Sequence, residues 1–194
     1  TTLGAFGILV NDKTKKISRD FQIAPIKRSQ ITAGYIISSW TISMIISIVA
    51  FIFAEVYILI YGGELLGLQQ ILKLFGVMVI NVFSSTAMML FLVSFFDSNN
   101  AFATASTIIG TLIGFLTGIY VPIGSLPSTI QTVIKVFPPS HAGALYRQIM
   151  MSKPFSAISA PPEVIEQIKN VFAVTYQIGD KTLTSSTSIL ILLT

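Results

Sequence analysis

Long uncharged stretches alternate with short polar ones along the chain. The three longest uncharged stretches are 26 residues after Arg28, 23 after Lys73 and 37 after Asp97. A bilayer core about 30 Å thick needs roughly 20 apolar residues in a helix that rises about 1.5 Å per residue. Each stretch is therefore long enough for one membrane-spanning helix. The pattern predicts spans at about 31–60, 71–96 and 101–121.

Both ends of the sequence are apolar but too short to span. Residues 1–10 and 185–194 each supply about half of the length that a bilayer core requires. We expect a fragment of a larger membrane protein that is cut within a helix at both ends. The predicted fold class is an all-α polytopic membrane protein with three complete transmembrane helices, 31–121, and two truncated ones.

Prolines interrupt the pattern after the third predicted span. Two segments, Thr129–Phe137 and His141–Met151, are apolar on one face but too short to cross a bilayer. Such segments fit a re-entrant or interfacial helical hairpin over residues 122–151. Four prolines delimit this hairpin: Pro122, Pro127, Pro138 and Pro139.

A more polar region, residues 152–184, follows the hairpin. Pro161-Pro162-Glu163 is typical of a helix start. Val174–Ile178 and Lys181–Thr184 flank Gly179-Asp180, a pair that suits a two-residue hairpin turn. We expect a small α+β insertion here, on the outer face of the membrane.

Composition and charge support the membrane class. Hydrophobic residues make up 53% of the 194 residues and charged ones 10%, against about 25% charged in a soluble domain. Half of the twelve basic residues lie between residues 13 and 28. Basic loops beside spans stay in the cytoplasm, so we interpret 11–30 as a cytoplasmic loop and not as a nucleic-acid surface. Three spans then place 122–184 outside.

Part of the basic loop has an amphipathic pattern. Between residues 17 and 24, Ile17 and Phe21 share one face, and Pro25 ends any helix. Such a helix can lie on the membrane or dock in the groove of a partner. A solvated charged loop is an equally good interpretation of the same residues.

Small residues recur in two of the predicted spans. In the third span, Gly110, Gly114 and Gly118 repeat every fourth residue, a doubled GxxxG pattern that predicts a seam for close helix packing or dimerisation. In the second span, a polar cluster from Asn81 to Thr86 favours helix contact over a substrate path.

The sequence lacks the residue patterns of an enzyme. It contains no cysteine, no GxxxxGK[ST] phosphate loop, no HExxH motif and no nucleophile–base set. The single histidine, His141, has no second histidine or nearby carboxylate with which to bind a metal. We expect no catalytic residue, metal or cofactor. The predicted spans contain few ionisable groups, so energy for any transport would come from another domain.

Two segments resemble a known transporter family. The stretch from Asp20 to Tyr35, DFQIAPIKRSQITAGY, resembles the cytoplasmic coupling segment of ABC-2 type permeases, the membrane subunits of ATP-binding-cassette exporters. The stretch from Gly118 to Pro127, followed by FPPSH at 137–141, resembles that family's fifth span and outer hairpin. The resemblance implies six spans per permease, with this chain running from the end of the second to the start of the sixth.

The resemblance also implies partners and a role for the basic loop. A separate ATPase, which binds ATP and Mg²⁺, would dock on a coupling helix in the 11–30 loop. The implied coupling residues are Ile17, Arg19, Asp20, Phe21, Lys27 and Arg28. The resemblance also implies a second permease copy and membrane lipids as partners, and we expect the assembly to lie in a bacterial cytoplasmic membrane. The alternative is a membrane-embedded surface or receptor protein that acts through residues 152–184 without an ATPase.

Overall fold

Helices dominate the part of the chain that is described, which comprises residues 2–15, 17, 27–152, 161–174, 177–178, 181–182 and 185–193 of a computed structural model. Eight α-helices lie in these residues, together with a 3₁₀ turn at Ile123–Ser125 and two short strands. The helices are α1 (Thr2–Thr14), α2 (Arg28–Ile60), α3 (Leu68–Val93), α4 (Asn99–Leu116), α5 (Ser128–Val136), α6 (Pro138–Met150), α7 (Pro162–Val171) and α8 (Ser185–Leu193). The strands are β1 (Gln177–Ile178) and β2 (Lys181–Thr182).

Two of the described helices are long and apolar enough to cross a membrane. They are α2, with 33 residues, and α3, with 26. Helix α4 has 18 residues, fewer than the roughly 20 that a bilayer core requires. The expected third complete span at 101–121 is therefore not supported, and neither is the count of three.

Helix α4 ends early because of a backbone motif at its carboxyl end. Gly118 adopts a φ of +73°, which L-amino acids with a side chain rarely adopt. Its N–H donates to the Phe115 carbonyl at 3.1 Å, and the N–H of Ile119 donates to the Gly114 carbonyl at 3.0 Å. This pair of bonds is a Schellman motif, which satisfies carbonyls that would otherwise have no partner at a helix end. The helix therefore stops before Gly118.

The described residues form two compact units. The first comprises residues 1–65 and 82–110, and the second comprises residues 66–81 and 111–194. In the first unit, α1 packs along α2. Phe6 and Val10 of α1 are fully buried, and the hydroxyls of Ser43 and Thr2 lie 3.3 Å apart. The apolar residues 2–10 therefore belong to a packed helix.

The second unit is built around α6. Leu145 and Ala142 of this helix pack with Val77 of α3 and Leu192 of α8. A second cluster joins Ala144 of α6 to apolar side chains from the 3₁₀ turn, α5 and the segment just after α7, namely Ile123, Ile134 and Ala173. Helix α6 therefore contributes residues to both of these apolar clusters of the second unit.

The two short helices of the 122–151 region begin close to the expected positions. Pro127 precedes the first residue of α5, and Pro138 and Pro139 are the first two residues of α6. Proline suits these positions because the first helical N–H groups have no intrahelical acceptor. Pro122 precedes the 3₁₀ turn. The four prolines thus mark the starts of these three elements.

The expected α+β insertion at 152–184 is not supported. The strands β1 and β2 pair antiparallel, Gln177 with Thr182 and Ile178 with Lys181, but each has only two residues. Helix α7 packs on the 3₁₀ turn, where a Cβ on Gly124 would lie 2.7 Å from the Cα of Val171. These contacts make the described part of this region a component of the second unit and not a separate insertion. Residues 153–160 and the turn 179–180 lie outside the described residues.

Candidate functional site

The last turn of α1 carries four polar residues that follow its apolar part. The side chain of Tyr35, on α2, donates a hydrogen bond of 2.6 Å to Oδ2 of Asp12. A hydrogen bond from a hydroxyl to a carboxylate at this distance is short and charge-assisted, and such bonds are the strong ones. Asp12 thereby ties the end of α1 to the first turns of α2.

The same turn of α1 also contacts the connection between α3 and α4. Asn99 Nδ2 donates to Asn11 Oδ1 at 2.9 Å, and Thr14 Oγ1 lies 3.3 Å from the Asp97 carbonyl. We call the residues of these contacts the α1-end cluster, which comprises Asn11, Asp12, Lys13, Thr14, Tyr35, Asp97 and Asn99. The cluster connects the end of α1 to α2 and to the start of α4.

The contacts in the α1-end cluster differ in strength. Lys13 Nζ lies 3.8 Å from Asp97 Oδ1, and the Asp97 side chain is 92% exposed. Exposed ion pairs contribute little because water and salt screen them. Asp12 and Tyr35 are partly buried, and their bond is much shorter. The Asp12–Tyr35 pair is therefore the strongest side-chain link in this cluster.

The cluster lies next to the predicted coupling segment. Ile17 is half-buried just beyond α1, and its N–H donates to the Asp12 carbonyl at 3.1 Å. Lys27 and Arg28 are exposed at the start of α2. The other three predicted coupling residues, Arg19, Asp20 and Phe21, lie outside the described residues. The α1-end cluster and the start of α2 thus flank the segment.

Sequence reasoning did not find the Asp12–Tyr35 pair. The two residues are 23 positions apart, and nothing in the pattern of either helix indicates that they meet. The available signal was their position, because Asp12 and Tyr35 each lie a few residues from one end of the predicted cytoplasmic loop. Ionisable or hydroxyl side chains near both ends of a polar loop between two apolar stretches are candidates for such a link.

The predicted glycine seam is wrong at one of its three positions. Gly118 lies beyond the end of α4 with a φ of +73°, so it does not share a helix face with the other two glycines. A Cβ on Gly114 would overlap the ring of Tyr120, which already covers this position. Gly110 has open space at the corresponding point. Of the three glycines, only Gly110 presents an uncovered surface on the helix.

His141 is buried and has a hydrogen-bond partner at each ring nitrogen. Its side chain is fully buried, with Nε2 2.8 Å from the Lys135 carbonyl and Nδ1 3.3 Å from Ser188 Oγ. Burial lowers the pKa of His141 because it disfavours the charged imidazolium, and the Lys135 carbonyl partly opposes this effect. Among the described residues, no group of three His, Cys, Asp or Glu is arranged to hold a metal ion.

Comparison with protein families identifies the chain. The family model described as ABC-2 family transporter protein matches residues 1–193. The chain belongs to this ABC-2 family. The match confirms the resemblance that the 20–35 and 118–141 segments suggested. Comparisons with curated proteins and with solved structures gave no match.

Family membership sets the general activity of the chain. An ABC-2 membrane domain is the permease component of an ABC transporter and has no nucleotide-binding domain of its own. This agrees with the apolar helices α2 and α3, which are long enough to cross a membrane. The ABC-2 chain is therefore a membrane-embedded permease component of an ABC transporter, a family whose members associate with an ABC ATPase. The family match favours the permease interpretation over the receptor alternative.

Proposed function

We propose that this chain is the permease part of an ATP-driven exporter whose separate ATPase docks on the 11–30 loop. The observation that carries the proposal is the α1-end cluster, in which Asp12 contacts Tyr35 across the two ends of that loop. A segment that is held at both ends by the same hydrogen bond moves both adjoining helices when it is displaced. This arrangement suits a docking segment that transmits force.

The proposed docking uses the residues of the loop in two ways. Ile17 and Phe21 fill an apolar groove of the ATPase, as in other helix-in-groove complexes. Arg19, Asp20, Lys27 and Arg28 pair with charges around that groove. Charges at the edge of an interface set the orientation and rate of docking more than its affinity.

Transport then follows from closure of two ATPase subunits on ATP and Mg²⁺. Each subunit pulls one docking segment, and α1, α2 and the start of α4 move together because the α1-end cluster joins them. Two permease copies, identical or related, rock between inward-facing and outward-facing states. We propose that the direction of transport is export across a bacterial cytoplasmic membrane. The basic residues of the loop support an orientation with 11–30 inside and 122–184 outside.

The first experiment tests the ATPase partner. The full-length protein is expressed with an affinity tag in membranes that contain its own ATPase, solubilised, and captured. We expect a nucleotide-binding subunit to co-purify, and the reversed-charge variant Arg19→Glu/Asp20→Arg to lose it. Repeated captures of the wild-type protein without such a subunit would contradict the proposal.

The second experiment tests the link between the cluster and coupling. Tyr35→Phe removes the hydroxyl that donates to Asp12 and leaves the ring. A hydrogen bond to a charged group contributes about 1.5–3 kcal/mol, so we expect transport per ATP hydrolysed in proteoliposomes to fall by about tenfold or more. Tyr57→Phe is the matched control, because Tyr57 is 60% exposed and lies outside the cluster. Equal coupling in both variants would exclude a role for the Tyr35 hydroxyl.

A further inference from the structure

An apolar cavity lies between α2 and α3 within the first unit. Its volume is about 550 Å³, within the range of about 300–1,000 Å³ that is typical of ligand sites. Side chains of both helices line it, among them Ile37, Trp40, Phe83, Thr86, Ala87 and Leu90. These side chains are aliphatic or aromatic, with one exception.

The exception, Thr86, presents no polar group to the cavity. Its side chain is buried, with 3% exposed, and its hydroxyl donates to the Val82 carbonyl of the same helix at 2.7 Å. Sites for drug-sized molecules combine an apolar surface with a few polar groups that fix the orientation of the ligand. This cavity lacks such groups among its lining residues, so its chemistry selects a purely hydrocarbon ligand.

Two of the lining side chains face outward from the protein. Ile37 on α2 and Phe83 on α3 are 63% and 60% exposed, and both helices are long and apolar enough to cross the membrane. Large apolar side chains exposed at this depth contact hydrocarbon and not water. Whatever enters the cavity therefore comes from the membrane interior.

The distance from the cavity to the end of α2 matches one lipid tail. Trp40 lies twelve residues from Arg28, where α2 begins, which corresponds to about 18 Å along the helix axis. One leaflet contributes about half of a 30 Å core, or roughly 15 Å of acyl chain. Lys27 and Arg28 are exposed cations at that helix end, where a lipid phosphate would lie.

We propose that this cavity binds one acyl chain of a membrane phospholipid from the leaflet next to the 11–30 loop. The assignment to the cytoplasmic leaflet rests on the proposed function, but the identity of the ligand as an acyl chain does not. A thin hydrocarbon chain fits a concave site of this size, whereas the convex face of a helix from a second permease copy would leave the cavity floor at Thr86 empty.

Trp40 provides a direct assay, because it is the one tryptophan of the sequence and lines the cavity. The purified protein, in a detergent that does not quench fluorescence, is titrated with phosphatidylglycerol that carries brominated acyl chains. Bromine quenches tryptophan only at short range. We expect saturable quenching with a plateau at about one lipid per chain, reversed by the same lipid without bromine.

Substitutions at Ala87 test whether the cavity is the site. Ala87→Phe places a ring in the cavity and is expected to abolish the saturable component, whereas Ala87→Leu fills less of it and should weaken binding by a smaller factor. Ala50→Phe is the matched control, because Ala50 is exposed on α2 and is not a lining residue. Ala50→Phe should retain the plateau.

Three results would overturn the proposal. The first is quenching that rises in proportion to lipid without a plateau, as random collisions produce. The second is a plateau that is unchanged in both Ala87 variants. The third is a Trp40 signal that depends on protein concentration and not on lipid, because this would indicate that a second copy covers the cavity. The assay contains no ATPase, so its failure is distinguishable from failure of the proposed function.

Discussion

The guanidinium of Arg147 donates a hydrogen bond to the carbonyl oxygen of Thr117, the residue that directly follows α4. The same side chain reaches the Ala173 carbonyl at 3.5 Å, which lies just beyond the end of α7. Carbonyls at the end of a helix lack intrahelical partners and carry partial negative charge. One cation on α6 therefore binds the carboxyl ends of two other helices in the second unit.

Replacement of Arg147 is expected to destabilise the protein. Arg147→Met removes a charge-assisted hydrogen bond and a weaker one, and we expect a loss of about 2–3 kcal/mol in the free energy of unfolding. Arg147→Lys keeps the charge but not the two-pronged geometry, so its loss should be smaller. The measurement is denaturant unfolding in detergent micelles, with the exposed Arg28→Met as control. Equal stability of Arg147→Met and Arg28→Met would contradict this role.

Gly118 and Gly110 should respond in opposite directions to alanine. At Gly118 the φ of +73° costs a residue with a side chain about 1–2 kcal/mol, and the new Cβ would lie 2.7 Å from Ile123 Cγ1. We expect a loss of about 2–4 kcal/mol in unfolding free energy for Gly118→Ala. At Gly110 nothing lies within 4 Å, so Gly110→Ala should add about 0.5–1 kcal/mol of helix stability.

The Gly110 variant also tests what remains of the glycine seam. If a helix of a second permease copy packs against Gly110, an added methyl group should weaken self-association, which analytical ultracentrifugation in detergent measures. Gly110→Ala with higher unfolding stability and unchanged self-association would exclude Gly110 from the contact between copies. The two readouts thus separate stability within one chain from packing between chains.

The elements that depend on local sequence were the predictable ones. The spans at 31–60 and 71–96 correspond to α2 and α3, since long apolar stretches form helices wherever a membrane is the solvent. The short helices around Pro127 and Pro138 followed from proline's preference for helix starts. In contrast, the glycine spacing predicts Gly118 on a helix face, because spacing alone does not distinguish a seam from a helix-ending motif.

Contacts between distant segments were not predictable in the same way. Arg147 binds backbone carbonyls, which every residue has, so no side chain in the sequence marks its targets. His141 likewise contacts a backbone carbonyl, that of Lys135, which no side chain marks in the sequence. The polar composition of 152–184 predicts an exposed insertion, whereas Val174 and Ala173 are buried in the second unit.

Asp12 and Asp97 should contribute unequally to coupling. Asp12→Asn weakens a short, partly buried bond to Tyr35, whereas Asp97→Asn removes only the exposed ion pair with Lys13 and keeps the backbone carbonyl that Thr14 contacts. We expect transport per ATP hydrolysed to fall several-fold in Asp12→Asn and less than about twofold in Asp97→Asn. In the wild-type protein, high salt should lower transport per ATP hydrolysed by as much as Asp97→Asn does, because salt screens the exposed ion pair. It should not cause the larger loss that is expected for Asp12→Asn. Equal losses in the two variants would contradict the ranking.

His141 should make the stability of the second unit depend on pH. Its pKa in the folded protein lies below the ordinary imidazole value of 6.5 because the ring is buried. The unfolded chain therefore binds a proton more readily than the folded one, and stability falls as pH falls. The stabilising effect of the neutral ring is complete above pH 6.5 and is lost as pH decreases through the lower, folded pKa.

The sequence makes this pH dependence easy to assign, because His141 is its one histidine. We expect the thermal unfolding midpoint in detergent to be level between pH 8 and 7 and to decrease below about 6.5. His141→Gln should unfold at a lower temperature throughout, because glutamine leaves part of the buried site unfilled, but its midpoint should not change between pH 7 and 5.5. If the variant and the wild-type protein show the same slope over that interval, the titrating group is not His141 and the buried, neutral imidazole does not control acid stability.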